Sequence, residues 1–508
     1  MEQKNLTMPV TVNETVLKET AEIPVDTDYT LPDYCPEISK ILKCKTDVFI
    51  ISKGINGKNV TVDGNVLITL IYVSGEGELY SYEYQYPFNK TFEGADGIEN
   101  AYVFAAAKTD YINCRAVSPR KVDVHGAISL CVNAQKKKTV EIISDIDDDT
   151  IELKRSVISA SSPIGYAEKY VNIEEETEIG QSSDAVKCVL RYEGNARVKE
   201  CKLLPNKVML KGELCVKTVY ATVTGKQQHL NTVIPFSQLL GIEGINESCK
   251  SGSDCKLCYL EVKPSSFEES KSFTINAKVL VCCKTYCEND VEVITDAFSR
   301  KFETEFKKNS IRLSKLCCEL CDRMQIKDTA EVKDIKICSV CDMWYYSVIE
   351  NHSIENGELK LSGFINACII ADCEDEDPCV IEKKIPFEYS KKLENDSDNL
   401  YCEPTVNVLS GSYIIASESC IELRFELEIK AAVYTENTDA VLIGVNINSS
   451  KPVEKNSRGA MTVYFASKNE NIWNIAKKYC ASVKEIMRIN DLTEETIEND
   501  RMILVPMI

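Results

Sequence analysis

Apolar and polar residues alternate over long stretches of this chain, and three of those stretches share one skeleton. VTVDGNVLITLIYV (60–73), VMLKGELCVKTVYA (208–221) and LKLSGFINACIIAD (359–372) each carry glycine at the fifth position, as Gly64, Gly212 and Gly363. A Pro-Phe pair follows each: Pro87-Phe88, Pro235-Phe236 and Pro386-Phe387. The Gly-to-Pro interval is 23 residues in all three. Alternation with period two predicts half-buried strands. An interval kept three times marks one module in triplicate.

Further blocks extend the module. Residues 122–146, 273–297 and 421–445 each read as a long alternating strand, a polar turn (AQKKK, YCEND, YTENT) and a short apolar strand, which is a hairpin pattern. Lys136, Lys137 and Lys138 are then expected at a solvated tip. Another strand precedes each Gly block, led in by a short helix or an irregular segment such as CPEISKIL (35–42). The copies span 12–146, 152–298 and 305–447, with their marker glycines 148 and 151 residues apart. The expected fold class is mainly β: three tandem sandwich- or barrel-like repeats. Glycine in mid-strand predicts a bulge or close backbone approach, and Pro before Phe predicts a strand edge.

After Val445 the pattern fades. The polar stretch 446–459 reads as a linker, placed at 448–459. Residues 460–508 form a different unit, small and α+β: an alternating strand (461–467), a helix carrying Ile472, Ile475, Ala476 and Tyr479, a second helix with Val483, Ile486 and Ile489, and a closing strand (501–508). Ser482 and Glu485 have the spacing of a capping box at the second helix.

That βααβ unit resembles a LysM domain through Tyr464, Ile472-Trp473, Ile475-Ala476, Tyr479, Val483, Ile486, Asn490, Leu492, Ile497, Ile503 and Val505-Pro506. The resemblance implies a site between the first strand–helix loop and the second helix–strand loop, built from Asn469, Glu470, Asn471, Ile472, Trp473, Asn490, Asp491 and Leu492. LysM domains generally bind N-acetylglucosamine-containing glycans. Here Asn469-Glu470-Asn471 replaces the usual Gly-Asp-Thr, and Asp500 replaces the glycine before the last strand. Because glycine permits tight turns and close approach, the departures favour docking of a protein over sugar binding. Trp473 suits stacking on a ligand or packing in the unit's own core.

LPDYCPEISKILKCKTDV (31–48), with VTVDGNVLITLIYV and YPFNKTFEG, resembles the SPOCS domain of clostridial sporulation proteins. SPOCS modules followed by LysM are similar to the SipL family of spore-coat morphogenetic proteins. The resemblance implies a mother-cell cytoplasmic scaffold at the forespore surface. It also implies that LysM contacts the coat basement-layer ATPase, stage IV sporulation protein A, and that other coat proteins are partners. The alternative is a peptidoglycan- or cortex-binding protein.

Bulk composition narrows the classes. A chain of 508 residues needs several cores. The net charge of −20 argues against nucleic acid as partner. No apolar run is long enough to span a membrane, and the start, MEQKNLTMPVTVNET, lacks the features of a secretory signal. There are 24 cysteines, 19 of them between Cys188 and Cys420. They are expected as reduced thiols, mostly small buried apolar residues. Cys318-x2-Cys321 and Cys338-x2-Cys341 have zinc-like spacing, but a strand would point Cys338 and Cys341 to opposite faces. Oxidative cross-linking in a coat is the third reading of the cysteines. The three histidines, His125, His229 and His352, form no catalytic pattern, and no phosphate loop or EF-hand is present. A non-enzymatic protein without metal or cofactor is expected.

Overall fold

A computed structural model of the protein describes residues 5–94, 96–180, 183–266, 270–332, 336–374, 376–394, 399–453 and 459–506. Three repeats of six strands come first. Repeat 1 holds β1 (Asn5–Thr30), β2 (Ile38–Asn56), β3 (Asn59–Ser74), β4 (Leu79–Glu93), β5 (Tyr102–Ser118) and β6 (Lys121–Ile146). Repeat 2 holds β7 (Ile151–Glu178), β8 (Val186–Leu204), β9 (Lys207–Thr222), β10 (Gln227–Gly241), β11 (Lys250–Pro264) and β12 (Ser272–Ser299). Repeat 3 holds β13 (Phe302–Glu331), β14 (Ile337–Glu355), β15 (Glu358–Cys373), β16 (Glu376–Lys392), β17 (Leu400–Ser417) and β18 (Cys420–Pro452). The C-terminal unit is β19 (Met461–Ala466), α1 (Ile472–Tyr479), α2 (Val483–Ile489) and β20 (Arg501–Pro506).

Each repeat is a pair of three-stranded antiparallel sheets. In repeat 1 these are β2-β3-β4 and β1-β6-β5, and repeats 2 and 3 copy the order. Val60, Val62, Val66, Ile68 and Leu70 of β3 face Val122, Val124, Ile128, Leu130 and Val132 of β6 in one core. Burying a side chain of this kind is worth about 1.5–3 kcal/mol. Alternation gives way to a continuous apolar run at the end of β3, because both faces are covered there. Ile71 packs with Trp344, Cys368 and Ile370 of repeat 3, and Leu67 joins the core of repeat 2.

The register explains the fixed Gly-to-Pro interval. Gly64 pairs with Phe88, Gly212 with Phe236 and Gly363 with Phe387. A Cβ at these glycines would meet the partner ring at 2.3, 2.4 and 2.8 Å. The glycines are therefore close-approach positions under an aromatic ring. The prolines lie on β4, β10 and β16, which are edge strands of their sheets, where a missing N–H costs no ladder bond. The bulges repeat as well. Shifts at Ile38/Lys40, Ile41/Lys43 and Ile50/Ser52 recur at Val186/Cys188, Val189/Arg191 and Val198/Glu200, and again at Ile337/Ser339, Val340/Asp342 and Ile349/Asn351.

Several expectations are corrected. The downstream hairpins are single continuous strands, β6, β12 and β18, which run straight through AQKKK, YCEND and YTENT. A long antiparallel partner makes this possible. In repeat 1, Lys136 and Lys138 pair with Glu14 across the β1–β6 ladder, and Lys137 donates to the Ile164 carbonyl. The lysine run is thus not a hairpin tip. Of the two forms expected for the lead-in at 35–42, the helix is absent: the chain is irregular as far as Glu37, and Ile38 already begins β2. The expected linker is strand as far as Pro452, which pairs with Phe302; residues 454–458 lie outside the described residues.

The arms formed by the start of β1 and the end of β6, with their counterparts, bind the repeats together. One apolar cluster takes Val10 and Ile142 from repeat 1, Ile158, Ala160 and Val293 from repeat 2, and Ile311, Leu313 and Val441 from repeat 3. A buried ionic contact joins repeats 2 and 3. Asp342 accepts from Arg191, whose Nη2 lies 3.0 Å away, and from Lys217 Nζ at 2.9 Å, while the Arg191 guanidinium lies 5.2 Å over Trp344. Burial alone would raise the Asp342 carboxyl, but Arg191 and Lys217 outweigh it and bring it to about 2.

The thiols also depart from expectation. Cys44 of β2 is bonded to Cys114 of β5, and Cys249 to Cys287 of β12, so four cysteines are disulfides. Cys35, Cys255, Cys258, Cys283, Cys368 and Cys402 are buried thiols; Cys131, Cys321 and Cys338 are exposed. Cys318 and Cys321 lie in the sheet of β13, and Cys338 and Cys341 lie in the separate sheet of β14.

Candidate docking surface on the C-terminal unit

The strand–helix–helix–strand order read from the sequence is present at 461–506. Asn471 caps α1: its backbone is extended and its side chain accepts from Trp473 N at 2.8 Å. Cys480, in the left-handed conformation, ends the helix. Ser482 stands at the N-cap of α2 but makes no side-chain cap bond, and Glu485 instead pairs with Arg488. The capping box is therefore not formed. Ile472, Ile475, Ala476 and Ile486 pack on Ala466, Ile503 and Val505, the inner face of the two-stranded sheet β19-β20.

The eight residues singled out from the sequence divide by environment. Ile472 is fully buried in this core. Asn490 is buried and structural, because its amide donates to Ile486 O and Leu504 O and accepts from Leu504 N, so it ties α2 to β20. Glu470 accepts from Tyr464 Oη at 2.6 Å and from Ser467 N at 3.1 Å, which closes the first loop. That hydrogen bond pushes the Tyr464 phenol up. Asp500, where a glycine was expected, accepts from Lys468 N and braces the same loop. Asn469 and Asp491 are exposed, both in the left-handed region at φ 67° and 50°, and Leu492 is half-buried beside them.

Trp473 is committed elsewhere. It is buried, its ring meets Phe298 edge-on at 5.1 Å, and its Nε1 donates to Asp296 Oδ2 at 2.9 Å. Asp296 and Phe298 belong to β12, so this tryptophan fastens the C-terminal unit to repeat 2. Lys477 and Lys308 also donate to Asp296, at 2.7 Å each. Burial would raise the Asp296 carboxyl; the bonds from Lys308, Lys477 and Trp473 outweigh it and hold the group well below the usual carboxylate range.

The sequence alone does not single out the outer face of β19-β20. Met461, Val463 and Phe465 alternate outward on β19, as do Met502 and Leu504 on β20. Val463 pairs with Leu504 and Phe465 with Met502, so the five side chains form one contiguous apolar patch. Phe465 is 74% exposed. The signal is the alternation of MTVYFA, whose first set, Met461, Val463 and Phe465, is wholly apolar while the second, Thr462, Tyr464 and Ala466, is mixed; only the structure shows which set has no cover.

Residues 37–117 and 185–264 match the family described as SipL, SPOCS domain. The matched spans coincide with β2–β5 and β8–β11, the inner four strands of repeats 1 and 2, and repeat 3 has the same strand order. The chain therefore carries SPOCS-like sequence of the kind found in SipL. No curated protein and no solved structure matches it.

Proposed function

We propose that this protein is a non-enzymatic scaffold of spore-coat assembly, and that its C-terminal unit is a LysM-like domain adapted to dock a protein. The SPOCS-like sequence of the repeats supports a sporulation role. The proposed partner is the coat basement-layer ATPase, stage IV sporulation protein A, and the proposed site of action is the mother-cell face of the forespore.

The observation that carries the docking reading is the uncovered apolar face of β19-β20, formed by Met461, Val463, Phe465, Met502 and Leu504. A contiguous exposed patch of this kind marks a surface that another protein covers. Glycan recognition asks for different chemistry: a groove in which aromatic faces and polar groups are free. Here Trp473 and Asn490 are used internally, and Glu470 is held by Tyr464 and Ser467. Of the remainder, Leu492 packs against the unit's own core, which leaves only Asn469 and Asp491 exposed.

The test sets the two ligands side by side. Full-length protein is incubated with insoluble peptidoglycan and, separately, with immobilised ATPase. Capture by the ATPase without pelleting on the glycan is the expected result. Pelleting without capture contradicts the reading.

A further inference from the structure

A cavity of about 1100 Å³ lies where the three repeats meet, walled by β1, β2, β5 and β6, by β7, β11 and β12, and by β13, β17 and β18. It is large enough for a small molecule by the usual range of binding clefts. Its charge is uneven by origin. Lys53, Lys137 and Lys138 of repeat 1 and Lys256 and Lys284 of repeat 2 line it, with one carboxylate from each of these repeats, Glu14 and Asp254, whereas repeat 3 contributes no lysine and three glutamates, Glu319, Glu403 and Glu436.

Part of this charge is already matched: Lys53 pairs with Glu168, and Lys138 with Glu14. The rest is not. Lys284 stands 4.0 Å over the Phe104 ring, and Lys256 donates to the Ala105 carbonyl at 3.2 Å. On the repeat 3 side, Glu319 and Glu403 are exposed to the cavity and form no ion pair among the described residues. Aromatic rings accompany both poles. Phe104 meets Tyr166 edge-on at 4.9 Å, and Tyr401 stacks on Tyr434 at 5.2 Å.

Repeat equivalence sharpens the point. Phe104, Gly252 and Glu403 occupy the same strand position in the three copies, each five residues before the bulge at Thr109, Leu257 and Val408. The copies keep one register yet differ where they face the cavity. Packing alone does not call for an aromatic, a gap and a carboxylate at one repeated position.

We propose that this cavity binds a short zwitterionic peptide, with its carboxylate at Lys256 and Lys284, its ammonium at Glu319 and Glu403, and its body between the aromatic pairs. A simple anion would satisfy one pole and leave the glutamates unmatched; a simple cation would do the reverse. A lining that offers lysines from one repeat and glutamates from another matches a molecule carrying both charges. The proposal is independent of the docking reading.

Binding of Ala-Tyr-Ala to the full-length protein tests it, measured by calorimetry with free termini, with an acetylated amine, with an amidated carboxylate, and with both ends blocked. Blocking either end is expected to weaken binding by tenfold or more. Glu403→Gln is expected to erase the penalty of acetylation while leaving that of amidation. Lys284→Met is expected to do the converse. Circular dichroism of both variants separates lost binding from lost fold. Equal binding of the four forms overturns the proposal, as does no heat at millimolar peptide, or a uniform loss in Glu403→Gln.

Discussion

The indole Nε1 of Trp473 donates to the carboxylate of Asp296 across the boundary between the C-terminal unit and repeat 2, at 2.9 Å. Two lysines share that carboxylate, so one β12 residue anchors the whole unit. Asp296→Asn is expected to loosen the unit without unfolding the repeats. The measurement is tryptophan fluorescence, which has only Trp344 and Trp473 to report; the emission of Trp473 should shift to the red. The carboxyl is depressed in the folded protein, so its contribution is full above the ordinary carboxylate pKa of about 4 and is lost as pH falls toward the folded value. An acid titration should therefore show the red shift in wild type only at strongly acidic pH.

Gly212 has no room for a side chain, since a Cβ would lie 2.4 Å from Phe236 and 2.7 Å from the Arg197 carbonyl. Gly212→Val is expected to destabilise by ~1–3 kcal/mol through overpacking. Phe236→Ala should cost ~3–5 kcal/mol. The double variant should lose less than the sum, because removing the ring relieves the first clash but not the second. Urea unfolding of the four proteins checks this.

Arg191 and Asp342 are equivalent residues of repeats 2 and 3, and Lys43 holds the same place in repeat 1, where it pairs with Glu382. Asp342→Ala should cost ~3–5 kcal/mol, since it leaves a buried guanidinium without its main partner. Replacing both partners, Arg191→Met with Asp342→Leu, should cost much less. Denaturant midpoints rank the three proteins. A larger loss in the double variant would contradict the reading.

His125 stands between Asp26 and Asp123 on the exposed face of β1 and β6. The hydrogen bond to Asp26, then the charge of Asp123, raise its pKa above the ordinary imidazole value. The stabilisation this gives is fully present below the unfolded pKa and is lost as pH rises through the folded one. An NMR titration of the imidazole should show a raised midpoint that falls back in Asp26→Asn.

The triplicate was legible because glycine and phenylalanine sit opposite one another in one hairpin, and a two-stranded register converts that pairing into a fixed spacing. The same logic failed at AQKKK. Polar residues signal a turn only if nothing pairs with them, and here Glu14 lies across the ladder, more than 120 residues earlier in the chain. The C-terminal helices were readable from their periodicity. The fate of Trp473 was not, because the partner that buries it, Phe298, belongs to another unit. Nor could spacing reveal that Cys44 reaches Cys114 between two sheets.

Affinity of the full-length protein for the stage IV ATPase, compared between wild type and Phe465→Asp, tests the docking account most directly. Phe465 is the most exposed side chain of the β19-β20 patch and contributes nothing to the core beneath it, so the variant should fold normally. A loss of tenfold or more in affinity, with an unchanged melting curve, is the predicted result. Unchanged affinity would contradict the account.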